Sequence, residues 1–252
     1  MVENKEENEE KNKEENIVEP VEEIPEIPEK IIETKEVLLE KWQPTTKLGK
    51  DVLEGKIKDI NEILDSMKKI KEPEIVDILV PNLKNELIMI GGRTGKGGGA
   101  QRIPIRITAV MKKSGRRFRS SAMVVVGNED GIVGVGLDKS PEPRDAINKA
   151  IRRAKLNIIK VKRGCGSWEC RCDEPHSIPF KVKGKSGSVR VELLPAPKGL
   201  GLVADDESKK ILRLAGIKDV WVKTFGNTSM RVNLIYAIYD ALKNLYIYEK
   251  IE

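Results

Sequence analysis

Aromatic residues are scarce, at 4% of 252 residues, and the chain holds a single histidine. With 34% of residues charged, that mix suits small domains whose surfaces do most of the work. The length allows two modest domains and not many. Three cysteines, an odd number, argue against a disulfide framework and fit a reducing cytosol. No stretch of eighteen apolar residues occurs, so no membrane span is expected. The opening residues, MVENKEENEEKNKEEN, lack the apolar core of a signal peptide, which predicts a cytoplasmic protein. The lone His176 sits among cysteines, so neither a Ser-His-Asp arrangement nor a paired-carboxylate set is supported, and no enzyme is expected.

Charge is present but unevenly placed. Residues 1–44 carry fifteen glutamates and six lysines, a net of −9, which leaves 40 basic and 25 acidic side chains, +15, for residues 45–252. A heat-stable protein with a merely solvated surface would balance its lysines with glutamates. This body does not, which points to a polyanionic partner, most often nucleic acid.

Residues 1–41 form an acidic tail too polar to offset its ordering entropy, and disorder is expected there. Residues 42–97 read as a helical extension, with Ile57, Ile60, Ile63, Leu64 and Met67 at helical spacing. Pro73 and Pro81 punctuate it, and the six glycines of 91–101 read as an RNA-moulded loop rather than an element. Residues 98–162 give three strands (103–111, 121–127 and 132–136, the last two joined by a turn at Asn128–Gly131) and then a helix. That helix starts at Pro141-Glu-Pro143 and carries a stripe of Ile147, Ala150, Ile151, Ala154 and Ile158. Residues 163–187 are a linker. Residues 188–252 form an α/β unit: strands at 189–193, 199–203 and 219–223, a helix at 208–215 closed by Gly216, and a final helix capped by Thr228. The fold class is therefore α+β.

From Gly91 to Asn128 there are nine basic residues and no acid. An acid-free run of this length repels itself without a partner, and each Lys or Arg set on a phosphate releases counterions. The candidate RNA-binding residues are Arg93, Lys96 and Arg102, then the loop Lys112, Lys113, Ser114, Gly115, Arg116, Arg117 and Arg119. Phe118, alternating with basic residues, is expected to pack into the sheet. Lys149, Arg152 and Arg153 lie opposite the apolar stripe of the helix and read equally well as RNA contacts or as a solvated face.

Cys165, Cys170, Cys172 and His176 comprise every cysteine and the only histidine of the chain. Three thiolates and an imidazole would close a tetrahedral structural zinc site, without an open position for catalysis. The alternative is three reduced thiols and a hydrogen-bonded histidine, and C-x-C is tighter than the usual C-x-x-C. Gly92–Gly97 fails as a phosphate loop because Ile90 stands where a glycine is required and Gly97 where Ser or Thr is. Gly131, Gly134 and Gly136 do not make a dinucleotide fingerprint. Pro195-Ala-Pro-Lys-Gly-Leu-Gly201 echoes the phosphate loop of small-molecule kinases of the galactokinase and homoserine kinase type, but Leu202 and Val203 replace its serines.

Taken in order and spacing, these segments resemble a known family. Arg116–Arg119, Val124–Gly136 and Ala146–Ile151 are similar to the first domain of the fifth protein of the small ribosomal subunit. His176-Ser-Ile-Pro179, Gly187-Ser188, Leu194–Gly199, Leu214–Val220 and Gly226-Asn-Thr228 are similar to its second. Trp42–Gly49 resembles the lead-in segment of the archaeal and eukaryotic branch. The resemblance implies a double-stranded-RNA-binding-like first domain and a second α/β domain with a left-handed crossover, a fold shared with those kinases. It also implies binding to small-subunit rRNA where the messenger enters and is decoded, and a part in translational accuracy. Protein four of the small subunit is an implied neighbour, protein eight a further candidate, and messenger RNA on its entering path another contact. Relatives without these cysteines keep a histidine at the place of His176, so zinc is not a family-wide requirement. A free-standing RNA-binding regulator and a metabolite kinase remain the rival readings.

Overall fold

The computed structural model describes residues 42–66, 68–80, 82–94, 100–170, 172 and 174–249. The expected acidic tail, Met67 and Pro81 lie outside the described residues. Three short helices lead in: α1 (Lys47–Leu53), α2 (Ile60–Asp65) and α3 (Glu74–Leu79). Thr46 caps α1, its side-chain oxygen accepting the Gly49 N–H at 3.1 Å, which satisfies one of the unpaired first-turn donors. Val52, Ile60, Ile63, Ile75 and Val76 form a small core with Ile132 and Ile158. Glu72 pins the segment ahead of α1, accepting from the Thr45 N–H (3.0 Å), the Thr45 hydroxyl (2.5 Å) and the Thr46 N–H (2.8 Å). Burial pushes its carboxyl up, and those hydrogen bonds more than offset it and hold it below the usual carboxylate range.

The extension is not helical to residue 90. Lys84–Leu87 is a strand, β1, because its backbone completes an edge that the sheet leaves open. The glycine stretch is not a bare loop either. Gly91–Thr94 (β2) and Ala100–Ile103 (β3) pair antiparallel. A Cβ on Gly91 would meet the Ile105 carbonyl oxygen at 2.3 Å, so this glycine serves close backbone approach rather than freedom.

The first sheet is organised on one long strand. β4 (Ile105–Lys112) and β5 (Gly115–Gly127) form a hairpin, and β6 (Ile132–Ser140) flanks β5 on its other side. β1 continues the β4 edge along Val124–Gly127, and β7 (Ile158–Lys160) closes the far side against β6. The sheet thus has five strands where three were expected. The two missed edge strands are four and three residues long, too short to show period-two alternation. Ile158, assigned to the helical stripe, belongs to β7.

Helix α4 (Pro143–Leu156) lies on one face. Its Ala146, Ala150 and Ala154 meet Ala122, Val124 and Val126 of β5. The helix backbone comes down onto β6 so closely that a Cβ on Gly136 would sit 2.2 Å from the Ala150 carbonyl oxygen, and one on Gly134 2.4 Å from that of Ala154. Those glycines, meaningless as a nucleotide motif, are required by packing.

The opposite face, with Met123, Val125, Val133 and Val135, packs on the second unit. That unit is a four-stranded sheet in the order β10 (Leu202–Val203), β11 (Val220–Phe225), β9 (Val189–Pro195), β8 (Val182–Ser186). Two helices cover it, α5 (Asp206–Leu214) and α6 (Arg231–Glu249). β10 and β11 run parallel and are joined through α5, the unit that the resemblance describes as a left-handed crossover. Gly216 ends α5 as expected, at φ +77°. Its N–H bonds the Arg213 carbonyl and that of Ile217 the Leu212 carbonyl, the paired bonds of a Schellman end. The final helix begins at Arg231 rather than at Thr228, and β8 was missed.

One apolar cluster runs through both units, and polar bonds reinforce it. Buried Glu207 of α5 accepts the Met89 N–H at 3.0 Å, and Lys210 donates to the Leu87 carbonyl at 2.9 Å. The two domains are therefore one packed body. Placing a side chain between α4 and β6 should break it: Gly136→Val is expected to cost about 3 kcal/mol, read as a fall of the thermal midpoint in a calorimeter.

Candidate RNA interface and metal centre

The β4–β5 hairpin has two regimes. Ser120–Gly127 of β5 is buried throughout, whereas Arg106–Lys112 of β4 and Arg116–Arg119 are exposed. Its outer half is thus a two-stranded ribbon that leaves the body at Ser120. Because directly paired residues share a face, the register sorts its side chains. Arg106, Lys112, Arg117 and Arg119 fall on one face with Thr108 and Val110. Ile107, Ala109, Met111, Arg116 and Phe118 fall on the other. Gly115, at φ +103°, makes the turn that an L side chain resists. The Ser114 hydroxyl accepts from the Arg117 guanidinium at 3.2 Å. None of the ribbon's Arg or Lys side chains is in an ion pair among the described residues.

Phe118 does not pack into the sheet. It is 56% exposed, beside Ile107 at 57% and Met111 at 75%, and the Arg116 guanidinium lies 5.0 Å from its ring centre. The alternation that suggested an inward Phe118 is real, but at this point the ribbon has no body beneath it.

The other expected RNA residues are scattered. Lys149 of α4 lies at the base of the ribbon, donating to Ser140 at 3.3 Å, and Ser140 pairs with Ser120. Arg152 is exposed, and Arg153 reaches Asp138 at 3.9 Å. Lys155 of the same helix is engaged with Asp77. Arg93 lies in β2 and Lys96 outside the described residues. Arg102 of β3 is far from the ribbon tip in register and lines a cleft with Val203, Thr224 and Arg231. Beside it, Arg106, Lys139 and Arg231 line a second cleft between the domains, with Ser229 and Asn233. Lys139 and Arg231 were not singled out from the sequence: sheet register sets Lys139 next to Arg106 across Ser121, and the domain packing brings Arg231 there.

The linker forms a compact knot. Gly164 and Ser177 exchange two backbone hydrogen bonds (2.8 and 2.9 Å), the Gly166 N–H bonds Ile178, and the Ser177 hydroxyl accepts the Ala196 N–H at 3.2 Å. This gathers Cys165, Cys170, Cys172 and His176, whose ligand atoms lie within 4.8 Å of one another. The Cys172–Cys165 sulfurs are 3.6 Å apart, Cys170 Sγ is 3.7 Å from His176 Nε2, and Cys170 and Cys172 are 2.8 Å apart. A tetrahedral zinc site with Zn–S of about 2.3 Å has edges of about 3.8 Å. The first two separations match it, and the C-x-C pair opens by about 1 Å to fit. The donor set suits zinc, and both cysteines of the tight pair reach the same point. The Cys170 thiol is pulled down to about 6 by its bond with Cys172 and then by the Lys198 N–H, while that bond pushes Cys172 up to about 11.

His176 is buried, and its Nδ1 lies 2.8 Å from Asp219 Oδ2. Asp219 Oδ1 accepts the Gly199 and Gly201 N–H groups at 3.2 and 2.7 Å. These are the amides of the loop that echoes a kinase phosphate loop. A carboxylate of the chain itself already occupies the donors that a nucleotide phosphate would need.

A projecting, acid-free basic ribbon on an α+β body defines a nucleic-acid-binding protein. Residues 100–162 match the family model of ribosomal protein S5, N-terminal domain, and residues 184–252 that of ribosomal protein S5, C-terminal domain. The small ribosomal subunit protein uS5 of Nanoarchaeum equitans is 56% identical over 83% of this chain and 90% of its own length. Those of Pyrobaculum arsenaticum (53%, over 82% and 96%) and Methanococcus maripaludis (51%, over 86% and 88%) are similarly close. The chain belongs to the ribosomal protein S5 family.

Proposed function

We propose that the chain is a structural constituent of the small ribosomal subunit, held on its rRNA chiefly by the β4–β5 ribbon. The observation that carries this is the ribbon itself: a charged finger whose Arg and Lys side chains form no ion pair among the described residues, anchored in a strand buried on both faces. The basic face, with Arg106, Lys112, Arg117 and Arg119, sits on phosphates, joined at the turn by Lys113, and Ser114 and Gly115 bring backbone donors to them. Exposed Phe118 gives the other face a surface on which a base can stack. Lys149 and Arg152 extend the contact at the ribbon's base, with Arg93, Lys96 and Arg102 as a second approach. Contacts of this kind position the protein without reading sequence. Family resemblance supports a location where the messenger enters and is decoded, with proteins four and eight as neighbours and a part in accuracy. No catalytic step is assigned.

Lys112→Ala/Arg117→Ala/Arg119→Ala, three residues of the basic face, should leave the thermal midpoint nearly unchanged, since surface changes stay within about 0.5 kcal/mol. The same variant should flatten the slope of log affinity against log salt for rRNA by roughly two to three units, one for each lost phosphate contact. Unchanged affinity and slope would place the contact elsewhere.

We propose further that Cys165, Cys170, Cys172 and His176 hold one structural zinc. A closed site of this type contributes folding energy and performs no chemistry. Metal analysis of protein purified without chelator should give about one zinc per chain, and Cys170→Ser should release it. Metal-free wild-type protein would leave reduced thiols as the correct reading.

A further inference from the structure

The four candidate ligands do not explain why Asp219, a carboxylate just ahead of β11, is buried in the second domain 43 residues along the chain from His176. A buried carboxylate is costly unless its oxygens are engaged, and here both are. Oδ1 takes two peptide N–H donors, from Gly199 and Gly201, and Oδ2 faces His176 Nδ1. An ionised carboxylate can only accept, so the proton on the imidazole resides at Nδ1. The lone pair is left at Nε2, the atom turned toward Cys170 Sγ. The backbone adds to this from the other side, since the His176 carbonyl accepts the N–H groups of both Lys218 and Asp219. The Lys198 N–H in turn donates to Cys170, and the Lys198 ammonium pairs with Glu174 at 2.7 Å.

We propose that Asp219 is the positioning residue of the metal centre, and that through it a bound Zn²⁺ fixes the Lys198–Gly201 loop of the second domain. This rests on the zinc reading above. A metal-bound histidine normally gives its other N–H to a carboxylate, which sets the ring's tautomer and orientation and strengthens it as a ligand. In this chain the carboxylate's second oxygen is tied to the loop, so metal, imidazole, carboxylate and loop amides form one continuous polar chain. The linker and the β10–β11 edge are joined by it. The loop that echoes a phosphate site is, on this account, the outer support of a metal centre.

The test uses the full-length chain, with Zn²⁺ affinity read by competition with a chromophoric chelator and amide exchange at Gly199 and Gly201 read with and without the metal. Asp219→Ala should weaken Zn²⁺ binding about 10–100-fold. Asp219→Asn, which keeps one acceptor oxygen, should recover part of the loss. In wild-type protein the Gly199 and Gly201 amides should exchange more slowly when zinc is bound, a readout that needs no variant and stands if Asp219→Ala fails to fold. Zinc bound by Asp219→Ala as tightly as by wild type would overturn the role of Asp219, as would loop exchange indifferent to the metal. Wild-type protein that binds no Zn²⁺ at all would instead overturn the metal reading beneath it.

Discussion

Everything in this structure depends on β5 being longer than the body that buries it. Ser120–Gly127 is enclosed between α4 on one face and the second domain on the other, while Gly115–Arg119 runs on past the core. Burial on two faces fixes the inner half in direction and register. A ribbon continuous with it inherits that rigidity without any packing of its own. A cluster of arginines on an ordinary loop would lose side-chain and backbone entropy on meeting RNA; here much of the backbone cost is met in folding. The price is an exposed apolar face, Ile107, Met111 and Phe118, that the free protein leaves in water.

Small residues make the double burial possible. Alanine on α4 against glycine on β6 lets helix and sheet approach to backbone contact, and a Cβ on Gly127 would meet the Leu214 carbonyl oxygen at 2.5 Å on the other side. The result is a thin sheet held between two layers, one of which is another domain. Chain order therefore understates how closely the two halves are joined: Glu129 donates its N–H to Leu214 at 2.9 Å, and the cysteine–histidine knot lies on the short path between them.

The sequence showed the larger elements and the charge, because the alternation in 103–111, the β-branched run of 121–127, the Asn128–Gly131 turn and the alanine stripe of α4 are local signals. It also showed the cluster of Cys165, Cys170, Cys172 and His176, since three cysteines and a histidine within twelve residues stand out in a chain with no others. What it concealed depended on distant partners. β1, β7 and β8 are short edge strands defined by what they pair with. Phe118 has the pattern of an inward residue, and only the absence of a body beneath the ribbon turns it out. Asp219 lies in the Leu214–Val220 segment, but its place beside His176 is recognised only from the atoms around it. The Gly91–Ile103 hairpin was obscured by glycine, whose usual meaning in a sequence is a turn, but whose use at Gly91 is close packing.

The central claim is that the ribbon, rather than the rest of the basic surface, meets the RNA. Photo-cross-linking within purified small subunits, followed by mapping of the joined peptides, tests it most directly. The account predicts rRNA cross-links concentrated on residues 106–119, Phe118 among them. Cross-links confined to the second domain, with the ribbon free of RNA, would contradict it.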